Sequence, residues 1–227
     1  MTKSLLLLIP ALLLICSCEN DDSYPRIDET THGEKWTLRI GSSHADVYTQ
    51  LQQLSTEKNF SAVAIVYRKP LSKPEGIQNF LPYYNAITVQ SNSGVIDRAL
   101  IEFDHDKVTS IETGSAMLNS ATAWPQNTSD DAAIHVNDPV GEIYNKILAI
   151  YQMPSYSSYQ IILPDKPLGL PFDPDMVNYD EWAFDFSQRI SGDEVGRSSV
   201  RLFFSHGKLV KIRDEYDVNR VLIDPGR

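Results

Sequence analysis

The segment Val200 to Ile212, VRLFFSHGKLVKI, has an earlier counterpart in Ala99 to Ile111, ALIEFDHDKVTSI. Phe103 aligns with Phe204, His105 with His206 and Lys107 with Lys208. Each copy reads as a β-hairpin, in which an apolar run meets a short polar turn and then a second run of β-formers. His206-Gly207 and His105-Asp106 suit the two central turn positions, where positive φ is easiest for Gly and is tolerated by Asp and His. Val200, Leu202 and Phe204 share one strand face, as do Ala99, Ile101 and Phe103, so one side of each hairpin is apolar.

The helices match as well. LRIGSSHADVYTQLQQL aligns without a gap on IHVNDPVGEIYNKILAI, and Val47, Leu51 and Leu54 correspond to Ile143, Ile147 and Ile150, an i, i+4, i+7 stripe. Ser42 and Asp138 are the expected N-caps, with Pro139 at the first helical position. Downstream, NAITVQ (Asn85 to Gln90) aligns on EWAFDF (Glu181 to Phe186), in which Trp182, Phe184 and Phe186 form one aromatic face. The expected fold is α+β: two tandem copies of a helix packed on a three- to four-stranded antiparallel meander sheet. The boundaries follow as 1–17 signal peptide, 18–35 tether, 36–113 first repeat, 114–132 linker and 133–227 second repeat, with a C-terminal edge strand at Val218 to Ile223.

Before the repeats, Lys3 precedes LLLLIPALLLI, an apolar run too short for a comfortable spanning helix and followed at once by cysteine. Ile15-Cys16-Ser17 before Cys18 resembles the lipobox of bacterial lipoproteins, which implies Cys18 as the lipidated residue. Lipidation of Cys18 leaves no free thiol for catalysis, redox chemistry or metal ligation. The acidic run Glu19-Asn20-Asp21-Asp22 resembles the surface-export signal of some Gram-negative lipoproteins and also fits a solvated tether. The expected location is therefore the outer membrane, held by lipid and facing the periplasm or the cell surface.

With 20 basic and 30 acidic residues the chain carries a formal charge of −10, which disfavours nucleic acid as a partner. Its densest basic group is Arg201, Lys208, Lys211 and Arg213, interleaved with apolar residues. His105 and His206 read as exposed hairpin tips rather than metal ligands, since a third ligand and an orienting outer shell are missing from the pattern. Asp173, Asp175, Asn178 and Asp180 form an acidic loop, but Pro174 and the lack of a central Gly depart from the calcium-loop spacing, so no metal and no cofactor is expected. No nucleophile elbow or H-E-x-x-H motif occurs, and no catalytic residue is assigned.

Gly41, Ser43, Val47 and Leu51 form a G-x-S-x-x-x-V-x-x-x-L pattern that resembles the opening of the SmpA/OmlA and β-lactamase-inhibitor-protein-like families. Leu148 through Pro154, Trp182-Ala183-Phe184 and the Leu202-Phe203-Phe204-x-x-Gly207-Lys208-Leu209 hairpin are similar to the remainder. The second copy departs in carrying Asn137-Asp138 where the pattern has Gly. The resemblance implies a tandem helix-plus-sheet protein that works by contact, without catalytic residues. The expected function is a non-catalytic envelope lipoprotein that binds another protein through its sheet faces or an inter-repeat cleft, with Tyr83, Tyr84, Tyr156 and Trp182 as candidate contacts. The competing expectation is a surface glycan- or small-molecule-binding lipoprotein.

Overall fold

The computed structural model describes residues 24–220 apart from 94, 95, 105 and 127. Cys18, the signal segment, His105 and residues 221–223 of the expected C-terminal strand lie outside the described residues. The architecture is mixed α+β with mostly antiparallel sheets. In chain order the elements are β1 (Arg26–Thr30), β2 (Glu34–Lys35), β3 (Leu38–Arg39), α1 (His44–Lys58), β4 (Ala62–Ile65), β5 (Ala86–Gln90), β6 (Arg98–Asp104), β7 (Lys107–Gly114), β8 (Asn119–Ala121), β9 (Ala123–Trp124) and β10 (Ile134–His135). They continue with α2 (Val140–Tyr151), β11 (Gln160–Ile162), β12 (Lys166–Pro167), β13 (Glu181–Arg189), β14 (Glu194–Ser205) and β15 (Lys208–Arg220). Short 3-10 turns cover Pro74–Asn79, Leu81–Tyr83 and Pro174–Asn178.

Two sheets dominate. One has six strands in the order β1-β15-β14-β13-β4-β12, the other five in the order β11-β5-β6-β7-β8. The β14–β15 turn has φ 51° at His206 and 74° at Gly207, the two positive values of a type I′ hairpin. Both long hairpins carry a register shift at matching places, between Phe203 and Phe204 and between Glu102 and Phe103.

The helices do not pack where the sequence pattern puts them. Each was expected on the meander that follows it. Instead Val47, Tyr48, Leu51 and Leu54 of α1 share a buried core with Trp182, Phe184, Val200, Leu202 and Ile212 of the C-terminal strands. Ile143, Ile147 and Ile150 of α2 share the other core with Ile87, Val89, Ile101 and Ile111. The strands after the helices cross in the same way: β4 pairs with β13, and β11 with β5.

Hydrogen bonds at the helix entrances explain the crossing. The Gly41 amide donates to the Leu209 carbonyl at 2.7 Å and the Leu209 amide to the Ser42 carbonyl at 2.9 Å. On the other side the Asn137 amide donates to Val108 and the Val108 amide to Asp138, both at 2.8 Å. This geometry needs a left-handed residue at the corner, supplied by Gly41 at φ 89° and Asn137 at φ 75°. Asn137 thus takes the same backbone region as the glycine it replaces in the pattern.

The same ties displace the expected caps by one residue. Ser42 and Asp138 are held against the hairpins, so the N-caps are Ser43, in a capping box with Asp46, and Pro139. Asp138 instead accepts from the His135 amide and from Lys146, each at 2.6 Å. The strand alignment shifts by one as well: Ala86 faces Glu102 as Glu181 faces Phe203, so Ala86, not Asn85, holds the place of Glu181. A one-residue slip would exchange the two faces of the strand.

Further differences concern the connecting segments. Residues 114–132, expected as linker, contain β8 and β9 and bury Trp124. The expected tether contributes β1, the sheet edge, paired along β15 from Arg26↔Tyr216 to Thr30↔Ile212. Val218 lies inside β15 opposite Gly196, so residues 218–220 continue that strand instead of forming a separate one, paired with β14 beyond the reach of β1.

Val47, Tyr48, Leu51 and Leu54 of α1 contribute about 1.5–3 kcal/mol each on burial, a sum comparable with the whole stability of a typical domain, about 5–15 kcal/mol. Fragments 24–117 and 118–227, separated at the exposed Met117, are therefore expected to lack cooperative thermal unfolding singly and to regain it on mixing. A circular-dichroism melt of either fragment alone showing a cooperative transition would contradict this.

Candidate functional site

Alternation on the three longest strands separates a core face from a solvent face. Trp182, Phe184 and Phe186 point inward on β13, and Val200, Leu202 and Phe204 on β14. Their neighbours are consequently turned to solvent, and register sets them in rows across the sheet. One row runs Ala64, Ala183, Arg201, Arg213, Glu29. Arg201 and Arg213 are directly opposed, an arrangement that costs stability between like charges. Arg201 contacts Glu181 at 2.8 Å, Arg213 contacts Glu215 at 3.8 Å and Lys211 contacts Glu29 at 3.3 Å. Lys211 Nζ also lies 4.5 Å from the Phe203 ring centroid. Ser199, Arg201, Phe203, Lys211, Arg213 and Glu215 line a hollow of about 660 Å³. Its lining carries three cations and Glu215, and Glu181 and Glu29 beside it pair with Arg201 and Lys211.

A second hollow of about 510 Å³ opens at the same sheet, between the Asn59–Ala62 corner and β13. Asn59 makes that corner as the left-handed C-cap of α1, φ 56°. Phe60 follows and stacks on Phe184 at 4.7 Å.

Behind the sheet, side chains from distant segments meet in a buried polar cluster. Arg68 Nη2 donates to Asp173 Oδ2 at 2.9 Å and to Asp175 at 3.4 Å, and Tyr84 Oη donates to the same Asp173 oxygen at 2.8 Å. Arg68 Nη1 also bonds the Tyr84 hydroxyl. Lys166 is 0% exposed, with Nζ donating to the Pro167 carbonyl at 2.7 Å and lying 5.2 Å from the Tyr48 ring centroid. Burial, with Arg68 nearby, lowers its pKa to about 8, against the opposing pull of Asp173. Burial raises the pKa of Tyr48 and Tyr84 above the ordinary phenol value. His44 stacks on Phe204 at 4.0 Å, and burial lowers its pKa below 6.5.

The candidate contacts are dispersed. Trp182 is 0% exposed and Tyr84 2%, so both are core residues and not partner contacts. The aromatic face of β13 is the one that α1 covers, and Tyr84 is drawn inward by Asp173. Tyr83 is half-buried in a 3-10 turn, and Tyr156 packs edge-on against Trp124 and Tyr159 at 5.4 and 5.1 Å. His206 is exposed at its hairpin tip. The acidic loop is internally paired, with Asp173 capping Asp175 and Asn178 bonding Asp175. Among the described residues no group of three or more His, Cys, Asp or Glu side chains is placed to hold a metal.

The basic group is split. Arg201, Lys211 and Arg213 share the solvent face, whereas Lys208 bridges to Ser43 beside Asp46 at the start of α1. Tyr67, 80% exposed at φ 63°, is a residue the sequence reading missed, because AVAIVY looks like uninterrupted strand. Among the described residues no helix is long and apolar enough to cross a membrane. Comparison with family models, with curated proteins and with solved structures found no match.

Lys166 yields a test of the cluster. Its bonding partner, the Pro167 carbonyl, also accepts from Tyr48 Oη at 2.8 Å, so Lys166→Met leaves no orphaned acceptor. The substitution is expected to stabilise the protein by about 1–3 kcal/mol near pH 7, as replacement of buried charge by apolar volume often does. The folded pKa of about 8 lies below the ordinary 10.5, so between these values the unfolded chain binds more protons and wild-type stability rises with pH. Denaturant titrations should show the gap between variant and wild type closing from pH 8 to 10.5; a constant gap would mean that burial does not lower the Lys166 pKa.

Proposed function

We propose that this chain is a lipoprotein of the cell envelope, held through lipid on Cys18, that acts as a non-catalytic protein-binding module. The binding surface is the solvent face of the six-stranded sheet. The observation that carries this reading is the gathering of Arg201, Arg213 and Lys211, each with a carboxylate partner, beside Phe203 in a broad hollow of the solvent face. Holding two arginines in opposed register costs stability without serving the core, and arginine next to a half-buried aromatic is the composition of interface hot spots.

The polypeptide is read as a tandem repeat whose two copies have exchanged helices. The matched bonds at Gly41 and Asn137, and the matched register shifts of the two hairpins, support that reading. It also agrees with the contact-based function implied by the resemblance to the inhibitor-like families.

The test is affinity capture from the envelope fraction by the mature protein, displayed through its N-terminus. Arg201→Ala with Arg213→Ala should reduce capture of a discrete partner at least tenfold, while Thr88→Ala on the other sheet should not. The double variant loses the exposed Arg213–Glu215 pair, worth about 0–1 kcal/mol, and the Arg201–Glu181 pair, whose carboxylate is mostly buried, but relieves the opposed charges, so only a small drop in melting temperature is expected. Undiminished capture by the double variant, or no partner under cross-linking, would overturn the proposal.

A further inference from the structure

Strand β13 enters its sheet paired on both sides and leaves it paired on one. Against β14 it is matched over its full length, from Glu181↔Phe203 to Arg189↔Val195. Against β4 it is matched only at Trp182↔Ile65 and Ala183↔Ala64. Beyond that point β4 diverges from β13, its residues Val63 and Ala62 pairing on their other side with β12. The direction of the remaining backbone groups follows from strand alternation. The Asp180 carbonyl accepts from Phe204, on the β14 side, and the Glu181 carbonyl from Val66, on the β4 side. The register with β14 is unbroken, so the amides and carbonyls of Asp185, Ser187 and Arg189 all point out of the open edge.

The edge is only partly guarded: Lys58 Nζ lies 5.6 Å from the Phe186 ring, but among the described residues no strand pairs with Asp185 to Arg189 on this side. Exposed strand edges are commonly protected by a charged side chain or a covering segment. Here the Asp185 carboxylate is drawn across to β14, where it accepts from Ser199 Oγ and lies 3.5 Å from Arg197. In the five-stranded sheet the corresponding edge is covered, β11 pairing with β5 from Ile162↔Thr88 to Gln160↔Gln90. At β13 the same place is the hollow of about 510 Å³, with Phe60 on its core side and Ala62 and Ser187 among its lining.

We infer that the Asp185–Arg189 edge is a strand-addition site that takes an extended segment of a partner protein with apolar side chains at alternate positions. Main-chain bonds to Asp185, Ser187 and Arg189 hold the segment, and its apolar side chains turn toward Phe60, where a pleated neighbour of Phe184 and Phe186 would place them. The inference deepens the reading of this sheet as a docking surface and rests on it.

The probe is a terminally blocked seven-residue peptide of alternating Val and Thr, added to the mature protein and followed by amide hydrogen exchange. Exchange at Asp185, Ser187 and Arg189 is expected to slow at least tenfold, with no such change at Thr88. Ser187→Pro removes a donor on the open side and no bond to β14, so the fold should persist while affinity drops at least tenfold. N-methylation of alternate peptide amides should have the same effect with the protein unchanged, which covers the case of a proline variant that fails to fold.

Lack of protection up to the solubility limit of the peptide, or binding that survives N-methylation, would overturn strand addition. Concentration-dependent protection of these amides without peptide would overturn it in favour of a second copy as the occupant. The two readings separate on the captured envelope partner. If its binding is lost with Arg201→Ala and Arg213→Ala but unaffected by Ser187→Pro, docking on the face stands and strand addition falls. If it is lost with Ser187→Pro alone, the basic hollow is not the contact and the edge is.

Discussion

Both cores depend on one kind of contact, the two-way backbone bond between a helix entrance and the hairpin at the far end of the other sheet. Gly41 and Ser42 exchange bonds with Leu209, and Asn137 and Asp138 with Val108. These corners aim each apolar helix stripe at a sheet it does not precede in sequence. The packing of Leu51 against the C-terminal strands and of Ile147 against Ile101 follows from that aim. Side chains that could have capped the helices are spent on the corners instead, which is why Ser43 and Pro139 hold the cap positions.

The polar cluster around Asp173 serves the same end by different means. Its members come from the segment after β4 and the segment after β12. One carboxylate oxygen satisfies both Arg68 and Tyr84, and the Arg68 guanidinium lies 5.3 to 5.8 Å from the ring centroids of Phe80, Tyr84 and Tyr179. A charge pair this dry contributes little net stability but penalises any arrangement that separates the partners. Lys166 lacks a carboxylate of its own and is the weak member of the set.

Local features were legible in the sequence and distant ones were not. The His206-Gly207 turn was readable because a two-residue hairpin demands positive φ at both positions, and the stripes of α1 and α2 because helical period is local. A stripe states that a face is buried and not what buries it, so the packing of α1 on the C-terminal strands left no mark in the pattern. Trp182 misled for a related reason, since alternating aromatics fit a core face and a contact face equally well. Arg68 and Asp173 stand too far apart in the chain for spacing to connect them. The basic face was partly visible as a cluster, but the opposition of Arg201 and Arg213 required the register.

The packing of α1 on the C-terminal strands also sets an order of events as the chain is made. Residues as far as Ile161 must be present before the core of the five-stranded sheet can close, and residues as far as Ile212 before that of the six-stranded sheet can. Helix α1 is completed first and waits longest for its partner surface. Contacts of such long sequence separation slow folding, because loop closure precedes any gain from packing. The half of the nascent chain that includes α1 therefore stays pliable until nearly all of the chain has emerged.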